Sequence, residues 1–396
     1  MRRQDTVDYG AIMTTDRTPL HTTGEVHVWG RRPTGASRML QPRHPAFWIL
    51  CAFFVFSIVF AVPAWISAFS EGRLAVNLGA AALWLLWLVV IAWLIDKIDY
   101  FSAMPTTTRL AALAWGVIVV PVMVVPLVSL MNGWLEPLTG EHTESYATAV
   151  PHEAVKLLGV VLLAGIAPVL FRRPMAALVS ALLLASGFTA VVEWQGTADR
   201  ANALADGGAS AGTVVRDMAG DVFVQGVLAM PWAHMAFTAI AAMGVSWWMM
   251  EKEKSALSRL GMGALLFVTA SALHWLTEMV TAIPLNESIL ARMYIAIGSL
   301  VIIGGLIAYS LREERTWFEH VADRTHTGMD PRAFETPFER HRNPEWNEMD
   351  HKAAKETQRA VLGYAEAVGD EDEQAAERLR KEALRKKFAA RQKTPH

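Results

Sequence analysis

Residues 174–193 read PMAALVSALLLASGFTAVVE, twenty positions with no charged side chain before the last one, Glu193. An α-helix rises roughly 1.5 Å per residue, so twenty apolar residues cover the about 30 Å of hydrocarbon in a bilayer. The stretch therefore reads as a membrane-spanning helix, residues 174–196, that carries an ionisable group near its end. Working outward from it, seven further stretches meet the same length requirement, at about 46–69, 74–95, 110–131, 153–171, 222–250, 260–283 and 289–311. The expected fold is all-α, a polytopic membrane bundle of about eight spanning helices. The fourth span is the weakest. Its clean apolar part, Leu157 to Phe171, is short, and it reaches spanning length only if Glu153 and Lys156 form the polar mouth of the helix.

Composition points the same way. Of 396 residues 53% are apolar and 19% charged, and fifteen are Trp, which excludes a disordered chain, a fibre and an ordinary soluble enzyme. The single cysteine, Cys51, can form no internal disulfide, so any metal site must be built from His and carboxylates. The net charge of -2 conceals charge crowded into both ends and the short connectors, and no basic face for nucleic acid emerges. Residues 1–45 carry seven Arg and no apolar core, as a cytoplasmic arm does and a cleaved leader does not. With eight spans, this arm, the Arg172/Arg173 hinge, the Lys252, Lys254 and Arg259 connector and the tail 312–396 share one side, while residues 132–152 hold three Glu and no Lys or Arg. The Lys/Arg-rich side is expected to be cytoplasmic, placing both termini of a multi-pass plasma-membrane protein there. In the tail, 353–368 and 373–392 read as two exposed helices, a solvated cytosolic appendage or, as the alternative, a segment that binds a cytosolic partner.

Ionisable groups inside spanning helices cost a few kcal/mol or more, so each marks a site by default. They are Glu153 and Lys156 in the fourth span, Glu193 in the fifth, His234 in the sixth, and His274 with Glu278 in the seventh. Counting residues from the span ends puts Glu153, Glu193 and His274 in the outer half of the membrane, with His234 at similar or greater depth. Polar groups from four helices at one height are what a buried metal or catalytic site in a bundle requires. Two imidazoles and a carboxylate make a common catalytic zinc shell that activates a bound water. Glu153 is then the candidate proton shuttle, Lys156 the group that holds it ionised or neutralises an oxyanion, and Glu278 either an acceptor orienting His274 or a ligand itself. Interhelical hydrogen bonding of the histidines and an interfacial Glu153–Lys156 pair are the competing accounts. His152-Glu153 opens like a His-Glu-x-x-His zinc signature, yet position 156 is Lys, and the Gly-x-Ser-x-Gly string at 208–212 lies in an exterior connector rather than a strand-to-helix turn.

Three short runs, Pro151-His152-Glu153-Ala154-Val155-Lys156, then Gly187-Phe188 through Glu193, then the later helices bearing His234 and His274, resemble the PrsW family of intramembrane metalloproteases, over roughly residues 110–310. That family's pattern is a Glu-Glu-x-x-Lys helix start, a Gly-Phe-rich helix ending in Glu and two helices each with a His. The resemblance implies a membrane-embedded, metal-dependent endopeptidase, with zinc as the expected ion, that cuts membrane-tethered proteins near the extracytoplasmic face, in bacteria often anti-sigma factors. It implies Glu153, Lys156 and His152 as the catalytic group and Glu193, His234 and His274 as metal ligands. His152 stands where the family has its first Glu, which leaves the water-activating role to Glu153 or makes His152 a third imidazole ligand. A catalytically inactive scaffold or sensor of the same fold and a proton-coupled transporter are the alternatives.

Overall fold

The bundle is built around α6 (Pro174–Asp206), whose Ala, Ser and Gly residues let neighbours approach on every side. The computed structural model describes residues 42, 44–70, 73–99, 104–139, 143–168, 170–228, 231–283, 285–325, 377, 378 and 381. Around α6 lie α1 (Pro45–Ser70), α2 (Leu74–Ile98), α3 (Thr106–Ala114), α4 (Val120–Thr139), α5 (Thr143–Ile166), α7 (Ala211–Phe223), α8 (Pro231–Met250), α9 (Ala256–Thr281) and α10 (Leu285–Thr325). Eight stretches are long and apolar enough to cross a membrane, as expected, and the described residues contain no strand. The N-terminal arm before Pro42 and the two expected tail helices lie outside the described residues, apart from Glu377, Arg378 and Lys381, which are helical. The helix α10 runs unbroken past Leu311, the expected edge of the spanning region, to Thr325.

Several boundaries differ from the sequence reading. The helix of the fourth span begins at Thr143 and its apolar stretch at Ala147, so Glu153 and Lys156 sit in the middle of α5 with no solvent exposure, and not at a polar mouth. The stretch between the expected fifth and sixth spans, read as an exterior connector around 208–212, is largely helical, because α6 runs to Asp206 and α7 starts at Ala211. Between them Gly208 takes φ 81°, a conformation open mainly to glycine, and Ser210 caps α7 by accepting the Thr213 backbone N–H at 3.3 Å. Capping accounts for Ser210 without any nucleophilic role. Finally, α8 starts at Pro231, whose ring is suited to a first helical position, so His234 lies within the first turn.

A π-helical turn, Trp115–Val119, joins α3 to α4. Pro121 has no N–H to offer the carbonyl four residues back, and here the Val120 N–H bonds the Trp115 carbonyl five residues back. The turn crosses α6 at close range: a Cβ on Gly116 would lie 1.9 Å from the Leu184 carbonyl oxygen, and one on Gly187 2.7 Å from that of Leu113. It thereby directs the Trp115 indole at α5, where its N–H donates to the Val155 carbonyl at 3.0 Å. A Cβ on Gly159 would meet that indole at 2.6 Å, so glycine is what lets the ring lie against α5. Phe53 and Phe54 of α1 close on the other side, edge-on at 5.5 and 6.0 Å.

Candidate metal centre

The segment of α5 that Trp115 fixes is the one carrying the candidate groups Glu153 and Lys156. Pro151 removes one helical N–H just before them. Glu153 and Lys156, three residues apart and on one face, form an ion pair with Lys156 Nζ 2.5 Å from Glu153 Oε1, both side chains wholly buried. Two charges without water are tolerable only when they are matched and their remaining lone pairs are met. They are: Thr238 Oγ1 donates to Glu153 Oε2 at 3.2 Å, and His274 Nδ1 lies 2.8 Å from Glu153 Oε1. The other ring nitrogen of His274, Nε2, is 3.3 Å from Glu278 Oε1.

Two more imidazoles complete the cluster. The His234 and His152 rings are centred 4.9 and 5.3 Å from that of His274. Phe188 of α6 wedges between them, 5.2 Å from the His152 ring and 5.5 Å from the His234 ring, and also lies 5.2 Å beneath Lys156 Nζ. In depth the groups agree. His274 is about 27 Å along α9 from its first residue and His234 about 5 Å along the antiparallel α8, so both lie near the membrane face opposite the α8–α9 connector.

Two overlapping sets of donors result. One ligand atom from each of Glu153, His234 and His274 lies within 4.8 Å of the others, and so does one from each of His152, His274 and Glu278. The donors fit a metal for three reasons. A carboxylate and two imidazoles are the donor types of catalytic zinc sites. The Nδ1 atoms of His234 and His152 are buried with no hydrogen-bond partner among the described residues, an arrangement that a cation relieves. A neutral imidazole carries one N–H, so His274, flanked by two carboxylates, can satisfy only one as a donor. The other then faces a bare nitrogen lone pair, a conflict that a cation between them also removes.

Glu193, expected as a ligand, is in neither set. It lies five residues beyond Phe188, about 140° further round α6 and roughly 7.5 Å higher, and its charged neighbours are Asp221, Arg200 and Glu278. Asp221 in turn takes Arg200 and the Thr197 hydroxyl, and Trp84 donates to Thr197 at 2.9 Å, fastening α2, α6 and α7 above the cluster. Sequence reasoning missed Thr238 and the wedge role of Phe188. Thr238 was discoverable, being one turn from His234 and so on its face. Nothing in the sequence announced the direction of Phe188.

The family model for the PrsW family intramembrane metalloprotease matches residues 104–305, just over half of the chain and every donor described above. The chain belongs to that family, and with it to the membrane-embedded metallopeptidases, which are hydrolases. Comparison with curated proteins and with solved structures gave no match.

Proposed function

We propose that this PrsW-family chain holds a divalent metal, zinc by its donor types, on Glu153, His234 and His274, and hydrolyses membrane-tethered proteins near the extracytoplasmic face. What carries the reading is the convergence of these three side chains, from α5, α8 and α9, within 4.8 Å in a buried space where His234 Nδ1 has no hydrogen-bond partner among the described residues. Bound there, the ion supplies Lewis acidity and a water ionised near neutral pH. The chain's own groups do the rest. Glu278 accepts the Nε2–H of His274 and so fixes the tautomer that presents Nδ1 to the ion, with Glu153 beside it. Lys156 balances the charge of Glu153 and stands ready as a donor to a developing oxyanion.

Glu153, expected as the general base, is in this reading a metal ligand that also accepts from Lys156 and Thr238, so the proton of the attacking water goes to His152, whose Nδ1 is buried without a partner among the described residues, and on to Glu278, whose side chain is 28% exposed while those of Glu153 and His274 are fully buried. His152 alternatively joins the ligand set, since one of its ring nitrogens lies within 4.8 Å of donor atoms of His274 and Glu278. Glu193 then belongs to the polar rim through which water and protons reach Glu278.

The Lys/Arg-bearing connector and tail support cytoplasmic termini, which puts the site in the outer leaflet, and the family resemblance supports a substrate such as an anti-sigma factor. The polar tail supports a cytosolic partner. Cleavage of a membrane-tethered substrate in proteoliposomes should require Glu153 and His234, disappear with chelator and return with zinc. Equal cleavage by wild type, Glu153→Gln and His234→Ala would overturn the assignment, while no cleavage and no bound metal in the wild type would favour a catalytically silent scaffold, the reading that His152 in the family's Glu position favours.

A further inference from the structure

Beneath the donor cluster the same three helices enclose a furrow that the hydrolytic chemistry does not use. Glu153, Leu157, Val161 and Ala164 share one face of α5, Thr238, Ala241, Val245 and Trp248 one face of α8, and His274, Phe267, Ala264 and Leu260 one face of α9. Below the polar ends of these faces lies a cavity of about 590 Å³ whose walls are almost wholly apolar. Val161, Trp248 and Leu260 are exposed at its edge, so it opens sideways, where the lipid of a bilayer would be.

Among the described residues, one charged side chain lines it. Arg259 stands in the first turn of α9, at the end of the span and beside the α8–α9 connector, so at headgroup depth. Its guanidinium carbon lies 4.5 Å from the centre of the Trp248 ring, and Nη1 donates to the Trp248 carbonyl at 3.2 Å. Its Nε is buried with no hydrogen-bond partner, and no carboxylate of the described residues pairs with it. The nearby Lys254 is engaged with Glu251 at 3.4 Å and lies over Trp247. A guanidinium fixed on an aromatic face, short of an anion and standing over an apolar slot, matches an amphiphile with a negative head and a hydrocarbon tail.

We infer that the furrow seats one anionic phospholipid, its phosphate on Arg259 and one acyl chain lying along α5, α8 and α9 toward Thr238. Size decides against a spanning helix as the occupant. Three turns of helix with side chains, roughly 11 Å across, occupy on the order of 1,500 Å³. The observed volume instead falls in the range of roughly 300–1,000 Å³ that holds a single small ligand.

The full-length protein, delipidated in neutral micelles and titrated with phosphatidylglycerol or with phosphatidylcholine of the same chains, is read by native mass spectrometry. The expected result is one phosphatidylglycerol retained in preference to phosphatidylcholine, weakened roughly tenfold in Arg259→Gln and less in Arg259→Lys. A phosphatidylglycerol carrying a diazirine in its acyl chain should label Val161 and Leu260 in wild type and fail to do so in Ala264→Phe, which fills the slot. Thermal unfolding without lipid checks that the variants are folded, and any variant that is not is replaced by Val161→Trp, at an exposed edge position. Equal retention of the two lipids, or undiminished phosphatidylglycerol binding by Arg259→Gln, overturns the proposal. So does labelling of the furrow by a diazirine-bearing single-spanning peptide in place of the lipid. None of these readouts involves proteolysis, so this site and the peptidase reading can each fail alone.

Discussion

At the scale of single residues, the site is held by charges that the membrane interior makes mutually dependent. Lys156 and Glu153 have no exposure, so removing one strands the other in a medium with nothing to solvate it. Lys156→Met should therefore cost about 3–5 kcal/mol of stability, measured by unfolding in micelles, and the double variant Lys156→Met/Glu153→Leu should recover most of that loss even though it lacks the proposed ligand Glu153. Recovery smaller than the error of the measurement would show that the pair is not the source of the loss. Thr238 contributes one hydrogen bond, to Glu153 Oε2. Thr238→Val keeps the shape and should cost about 1 kcal/mol, while Thr238→Ser should be close to neutral. If cleavage falls in Thr238→Val with stability unchanged, the hydroxyl acts in positioning Glu153.

At the scale of elements, the decisive piece is the π-turn at Trp115–Val119. It converts a proline at 121, which an α-helix tolerates poorly, into a device that points an indole at the α5 backbone. Gly159 is the receiving surface. Gly159→Ala puts a methyl group where the indole is, and should cost about 1–3 kcal/mol and weaken metal retention by moving Val155 and its neighbours Glu153 and Lys156. Gly133, in α4 with nothing within 4 Å of an added Cβ, is the control. Gly133→Ala should be neutral or stabilising by up to about 1 kcal/mol. Equal effects of the two substitutions would mean that helix propensity, and not the Trp115 contact, governs position 159.

For the whole molecule, α6 is the post to which the rest is fixed, and polar fasteners join the periphery to it. At one end Trp84, Thr197, Asp221 and Arg200 tie α2 and α7 to α6. At the other Arg173, at the start of α6, reaches Glu314 of α10 through Nε at 3.2 Å and Nη2 at 3.1 Å, which links the spanning bundle to the helix leading into the polar tail. The proposed orientation puts Arg173, Glu314 and the 251–255 connector on the cytoplasmic side. In a variant with Cys51 replaced, a cysteine at position 253 should react with an impermeant maleimide only in inverted vesicles, and one at position 207 only in intact cells. The reverse pattern would place the proposed metal site in the inner leaflet.

Apolar length against bilayer thickness let the sequence alone establish an all-α membrane protein with eight spans. The expense of ionisable groups in lipid let it single out Glu153, Lys156, His234, His274 and Glu278, which do meet. Which way each side chain faces was another matter. In a membrane, lipid tails are as apolar as a protein core, so hydrophobicity does not mark the inward face of a helix, and a counted depth leaves the angle about the axis open. That angle keeps Glu193 out of the donor sets and brings Phe188, Thr238 and Trp115 to the centre, because it is set by close crossings at Gly116, Gly159 and Gly187 that exist only when the helices are packed together.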